Sequence, residues 1–267
     1  MKSWRPELRA LLLGHAGIGI ADRNTVSGVV RVWAALRQIR EDGLPAPVKV
    51  REGGSPGETA WVEHPDEAAL AALQEELKAR ANAFHLAVGA RLAFVDGTPD
   101  VVAYPENREG WGRLCRLLTV GNTRPPPGAA RATKGECRLR LEDLLGHADD
   151  LLLIVMPDQR VDGLEAVLCE LARTRPGAVW LGASMHRRGD DARRLLRLKA
   201  IAGKAGVPLL ATNDALYHDA AQRDLQDVMT CIREGVKLET AGRLLEVNAE
   251  RHLKTPGEIA RLFRAAP

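Results

Sequence analysis

The sequence has no closely spaced cysteines. Cys115, Cys137, Cys169 and Cys231 stand far apart, and none belongs to a CxxC pair. That disfavours a zinc ribbon or a disulfide scaffold, and reduced thiols in a cytoplasmic protein are the plain reading. No apolar run approaches the ~20 residues needed to cross a bilayer, so no membrane partner is expected. The opening MKSWRPELRALLLGHAG starts basic but is interrupted by Glu7 and Arg9. Its leucines read as one face of a short helix and not as a signal peptide. No GxGxxG or Walker loop occurs, which leaves nucleotide binding by those routes unsupported. Ser184 lacks a GxSxG elbow, and Cys115 and Cys231 lie in apolar helical stretches where thiols are normally inert.

The remaining composition is that of an ordinary globular chain. At 267 residues and 45% hydrophobic content, it suffices for one large α/β domain, here taken as a single domain over 1–267. The net charge of +3 is a mild excess that does not by itself imply nucleic acid.

Short apolar runs alternate with stretches of helical period. Strands are predicted at Ala16–Ile20, Phe84–Phe94, Val101–Tyr104, Leu151–Val155, Ala178–Leu181 and Val207–Leu210. Asp96-Gly97 between the second and third marks a hairpin. Helices are predicted at Val26–Arg40, Asp66–Arg80, Asn107–Val120, Gly163–Thr174 and Asp190–Ala205, with Asn24-Thr25 as the cap of the first. Such alternation argues for parallel strands with helices outside. Gly43–His64, rich in glycine and proline, reads as an inserted excursion that continues with the charged helix to about residue 82. Residues 124–135 read as an exposed basic loop.

The last apolar run leads into ATNDALYH, 211–218. At the C-terminal end of a barrel strand, polar residues of this kind face the mouth where chemistry is done. Asp214 and His218 could ligate a metal, work as an acid–base pair, or cap the next helix.

Several longer motifs occur in order: IADRNT (20–25) with GVVR (28–31), GWGRLCRLLTVG (110–121), KGEC (134–137), ATNDALYH, LQDVMTCIREG (225–235) and NAERHLK (248–254). Together they resemble the PHP (polymerase and histidinol phosphatase) domain of bacterial C-family DNA polymerases, and specifically its error-prone, damage-inducible branch. The resemblance runs from about Pro6 to the C-terminus. It implies a distorted seven-stranded (β/α)7 barrel of the α/β class. In active members the barrel mouth holds up to three metal ions for phosphoester hydrolysis. The family domain opens with a strand carrying a His-x-His pair, and this chain begins after it. The polymerase palm of the family lies downstream and is also outside this sequence.

The resemblance places Asp22, Arg23, Arg91, Asp214 and His218 at the metal pocket. Active members carry a histidine at Arg23 and a glutamate at Arg91. A guanidinium is always cationic and cannot ligate a metal, so the pocket reads as vestigial and no metal or other cofactor is expected. Asp22 and Asp214 are instead expected within salt-bridge reach of Arg23 or Arg91, since unpaired arginines there would be costly. His186 could also face the mouth, although its cationic neighbours favour a hydrogen-bonded role. His15, His64, His85, His147 and His252 show no metal spacing. With its first strand missing, the barrel should leave Ala16–Ile20 as an edge, or have that strand covered by the excursion.

Arg113, Arg116, Arg124, Arg131 and Lys134 form a basic group that could touch a DNA backbone within a complete polymerase. Arg187, Arg188, Arg193, Arg194 and Arg197 form a second group, read as a solvated face. The expected role is a non-catalytic structural module of an error-prone polymerase engaged in translesion synthesis. Its partners would be the remaining polymerase domains, DNA through them, and damage-response accessory proteins. The alternative is a metal-dependent phosphoesterase or proofreading nuclease, for which a divalent ion would be the cofactor.

Overall fold

In the computed structural model, residues 6–43 and 67–264 are described. The chain begins with α1 (Pro6–Leu12), β1 (Gly17–Arg23) and α2 (Ser27–Asp42). After α3 (Glu67–Ala83) come β2 (His85–Leu92), β3 (Val101–Pro105), α4 (Arg108–Thr123) and the short α5 (Leu141–Leu145). Then β4 (Leu151–Val155), α6 (Leu164–Thr174), β5 (Val179–Ala183), α7 (Asp191–Ala205) and β6 (Leu209–Ala211) alternate. The chain closes with α8 (Arg223–Glu234), α9 (Leu238–Ala241) and α10 (Pro256–Leu262). Every predicted strand and helix has a counterpart, shifted by a few residues at its ends. The predicted excursion lies almost wholly outside the described residues.

The six strands form one mixed sheet in chain order, β1-β2-β3-β4-β5-β6. β1 and β2 are parallel, as are β4, β5 and β6. β3 runs against both of its neighbours. The parallel arrangement argued from strand–helix alternation holds on either side of β3, and the expected Asp96-Gly97 hairpin reverses β3 itself. There Gly97 takes φ +84° and the Asp96 carboxylate accepts from the Thr98 N–H at 3.1 Å. A two-strand hairpin can only return antiparallel, and so β3 reverses. Among the described strands β1 pairs with β2 alone and β6 with β5 alone, which makes these two the edges of the sheet.

Two clusters of buried side chains hold the layers. The larger fills the space between β2–β5 and α4, α6 and α7, through residues such as Leu92, Val101, Leu117, Leu153, Leu168, Leu181 and Leu198. The smaller packs β1 under α1, α2 and α3 through Ile20, Leu11, Val32, Leu36, Ile39, Leu77 and Phe84. Tyr104 of β3 lies across β2 toward β1. A Cβ added at Gly19 would meet its hydroxyl at 2.2 Å, and one at Gly89 would meet the Ala103 carbonyl at 2.3 Å. Both glycines are therefore required by close approach, and burial pushes the Tyr104 phenol up to about 12.

Candidate functional site

The C-terminal ends of β1 and β2, the start of β3 and the segment after β6 converge at one end of the sheet. Register aligns Arg23 with Arg91 on neighbouring parallel strands. Two like charges side by side repel, and Asp100, just before β3, lies between them. Arg91 Nε donates to Asp100 Oδ2 at 2.7 Å, and Arg23 Nη1 donates to the same oxygen at 3.3 Å. Arg91 also reaches Asp214, with Nη1 donating to Oδ1 at 2.8 Å. In a flat sheet β2 and β6 would stand about 19 Å apart, four strand spacings. A direct ion pair from β2 to the segment beyond β6 therefore requires the sheet to curl. The fold is an α/β half-barrel whose strand ends meet across this network.

The second Asp214 oxygen accepts from Arg251 Nη2 at 2.6 Å, and the Asp214 carbonyl accepts from Arg251 Nε at 3.0 Å. Arg251 Nη1 donates to Glu246 at 2.7 Å, and the other Glu246 oxygen accepts from Arg188 at 2.7 Å. The result is a chain of alternating charge, Arg23–Asp100–Arg91–Asp214–Arg251–Glu246–Arg188. Its inner side chains are only 13–25% exposed. Burial would drive the Arg91 guanidinium down, but Asp214 and Asp100 outweigh it and hold it above its ordinary value. At Glu246 burial acts upward, and the bonds and charges of Arg251 and Arg188 prevail, leaving its carboxyl below the usual range.

Asp22 has a different task. Its Oδ2 accepts from the Gly28 N–H at 2.8 Å, in the first turn of α2. The expected pairing of Asp22 with an arginine is thus corrected: a carboxylate at the end of β1 is better satisfied by the free N–H groups of the following helix. The expected Asn24-Thr25 cap holds in part, because Thr25 bonds the first residue of the helix and Asn24 does not. Asn24 takes φ +53° and turns to β2, accepting from the Ala93 N–H at 2.8 Å and donating to the Ala93 carbonyl at 3.3 Å. Thr25 Oγ1 accepts from the Ser27 N–H at 3.2 Å.

His218 has no partner in the charged chain. It is half-buried, and its Nδ1 has no hydrogen-bond partner among the described residues. Burial and Arg9 lower its pKa, against an opposing pull from Asp219. His186, only 7% exposed, lies in the field of Arg251 and Asp214, with its Nε2 unpartnered among the described residues. Burial, with Arg251 and Arg188 adding to it, keeps this imidazole below its ordinary pKa and favours the neutral form. Sequence reasoning missed Asp100, Glu246 and Arg251. Arg251 stood inside the NAERHLK motif, but nothing in its spacing indicated the partner 37 residues away.

Among the described residues, no three or more His, Cys, Asp or Glu side chains gather in a way that could hold a metal ion. Asp214 spends both of its oxygens, and Asp100 its Oδ2, on guanidinium groups, and cations stand where further donors would be needed. The donor set therefore does not fit a divalent cluster.

The basic residues outside this network divide. Arg124 grips Asp143 with two bonds of 2.6 and 2.7 Å, which holds that carboxyl below the ordinary range. Arg113 pairs with Asp150. Arg116 bonds the Gly112 carbonyl on its own helix, while Arg131 and Lys134 are exposed in the loop after α4. In the second group Arg187 and Arg188 meet Glu250, Glu258 and Glu246, and Arg194 caps the carbonyls of 157–159. No described helix is long and apolar enough to cross a membrane.

No family model matches the chain. It is 43% identical over 261 residues to an error-prone DNA polymerase of Bradyrhizobium diazoefficiens, a match covering 97% of this chain and 19% of that protein. It is 44% identical over 257 residues to an error-prone DNA polymerase of Rhodopseudomonas palustris, covering 96% and 19%. With the error-prone DNA polymerase of Brucella abortus it shares 43% identity over 260 residues, covering 97% and 20%. The chain spans about a fifth of the length of the curated relatives it matches. It is thus homologous, along nearly all of its length, to one region of error-prone DNA polymerases.

Proposed function

We propose that this chain is a PHP-type domain of an error-prone DNA polymerase acting in the cytoplasm on damaged DNA, and that it serves there as a non-catalytic structural module. The observation that carries the reading is the clamping of Asp214 between Arg91 and Arg251, both oxygens engaged at 2.8 and 2.6 Å. In the PHP family this strand end contributes to a metal cluster. Here guanidinium groups supply the positive charge that metal ions would supply, and they do so permanently. They offer no open coordination position and cannot activate a water, so the arrangement supports shape and not hydrolysis. Homology to one fifth of the polymerases agrees with a part that works inside a larger enzyme, where its partners are the remaining domains and DNA bound by them.

The test is biochemical. Purified chain should carry no stoichiometric metal by elemental analysis. With Mn²⁺ or Zn²⁺ supplied, it should neither hydrolyse phosphomonoesters nor degrade single-stranded DNA, and it should extend no primer. A phosphoesterase or nuclease activity that co-purifies with the chain and disappears in Asp214→Asn would overturn the reading in favour of a metal-dependent hydrolase.

A further inference from the structure

Helix α8 is amphipathic with the wrong side out. Leu225, Val228, Met229 and Ile232 follow the i, i+3, i+4, i+7 spacing of one helical face. They are 59%, 45%, 55% and 70% exposed. The face turned toward the fold carries small or polar side chains: Thr230 and Cys231 are buried, Gln226 donates to the Thr230 hydroxyl at 3.5 Å, and Asp227 lies 3.7 Å from Arg223. Among the described residues, seven of the twelve exposed large hydrophobic side chains fall within residues 225–247, Leu238, Leu244 and Val247 joining the four on α8. Asp224, Arg233 and Glu234, all exposed, rim the stripe with both signs of charge. An apolar patch with a polar rim is the signature of a surface that is covered in the working molecule.

We infer that this face of α8 is the seat of the rest of the polymerase: an apolar surface of the polymerase body covers Leu225, Val228, Met229 and Ile232. The inference rests on the reading of the chain as one module of such an enzyme. What favours this occupant is length. In each relative the matched region is about a fifth of the protein, so roughly four times as much polypeptide is joined to it and must sit against some face of it. A continuous helix face presents anchors at fixed spacing, which suits a permanent intramolecular contact between domains. The charged network is spent on itself and the larger apolar cluster is enclosed beneath α4, α6 and α7, whereas α8 carries more exposed large hydrophobic side chains than any other described helix.

Oxidation of Met229 by peroxide reads its accessibility directly, with buried Met156 as the internal reference. Two proteins are compared: the 267-residue chain, and a chimaera of the Bradyrhizobium diazoefficiens polymerase carrying this chain in place of its matched region. Met229 is expected to oxidise on the order of tenfold more slowly in a primer-extending chimaera than in the isolated chain. The double substitution Val228→Glu with Ile232→Glu should restore fast oxidation, and these exposed positions should leave the isolated chain's melting curve unchanged. Equal rates in the two proteins would overturn the inference. So would slow oxidation in the isolated chain, whether sedimentation shows a monomer, covered from within, or a dimer, covered by a second copy. If the chimaera does not extend primers, hydroxyl-radical footprinting of the natural relative decides, comparing the helix aligned with 223–234 in the intact enzyme and in the excised region. Equal footprints refute the inference and a footprint lost on excision supports it. A metal-dependent hydrolase activity would sink the underlying reading without altering either footprint.

Discussion

Replacing Asp214 by asparagine tests the charged chain most directly. Asparagine keeps the shape of the side chain and tolerates the left-handed backbone, φ +42°, that this position adopts. It removes only the charge and one acceptor oxygen. Two charge-assisted bonds are at stake, from Arg91 at 2.8 Å and Arg251 at 2.6 Å. Fully buried bonds to charged groups contribute about 1.5–3 kcal/mol each. The side chains here are 25%, 13% and 18% exposed, so solvent screening reduces the sum. After a discount of roughly one half, the expected loss is about 1.5–3 kcal/mol. Asparagine can still accept from one arginine, but its amide then points donor to donor at the other.

Urea unfolding followed by circular dichroism reads this loss as a lower midpoint with the slope unchanged. Asp214→Ala should cost about 1 kcal/mol more, because alanine lacks the polar side chain that eases a left-handed backbone. A double-mutant cycle with Arg91→Gln should return a coupling of roughly 1–2 kcal/mol, since the two side chains touch. If Asp214→Asn matched the parent, or the cycle were additive, the ion pair would hold nothing together and the argument for a guanidinium-filled pocket would fail.

Three further outcomes follow from single close contacts. Gly89→Val drives a side chain into the Ala103 carbonyl and the Tyr104 ring, and should cost about 3 kcal/mol or more, whereas Gly97→Ala, in open space at φ +84°, should cost about 1 kcal/mol; thermal melts separate the two. Asn24→Ala loses the acceptor of the Ala93 N–H at 2.8 Å and keeps a strained φ of +53°, so it should lose about 2 kcal/mol, with Asn24→Gly losing less. Arg124→Met breaks the two-pronged bond to Asp143 at partly exposed side chains and should cost about 1 kcal/mol, measured by the same unfolding curves.

The fold was largely readable because its signals are local. Leu151–Val155 has the length and β-branched content of a buried strand, and Asp96-Gly97 can serve only as a tight turn between two such runs. Asn107 was read as the start of α4, and its side chain does accept from the Gly110 N–H at 2.9 Å. The start of α2 was only half readable, Thr25 reaching the Ser27 N–H as expected but Asp22 and not Asn24 reaching the Gly28 N–H. Asp22, Asn24 and Thr25 are all capable caps, and the choice depends on where β2 lies, which local sequence does not encode. The site was half readable for the same reason. Arg91 and Asp214 were singled out by resemblance, but Asp100, Glu246 and Arg251 join them only once the sheet curls. Residue types and spacing along the chain carry no information about a contact across 123 residues.

The network sets up one last expectation, in which acid and chelator act in opposite ways. Four guanidinium groups, Arg23, Arg91, Arg188 and Arg251, alternate with three carboxylates, Asp100, Asp214 and Glu246. A metal-filled pocket would lose its positive charge to a chelator, and the carboxylates left behind would repel. Guanidinium groups cannot be chelated or deprotonated, so the melting temperature should be the same with and without EDTA, and added Zn²⁺ or Mn²⁺ should not raise it. Acid attacks the other half of the network. The folded-state pKa of Glu246 is depressed from its ordinary 4.5, so its contribution is fully present above that value. It is lost as pH falls through the lower folded value. Stability should therefore hold down to about pH 5 and decline below it, and Glu246→Gln should flatten that decline while lowering the neutral plateau. A melting temperature that dropped with EDTA at neutral pH would mean that a metal ion, and not the arginines, balances Asp214.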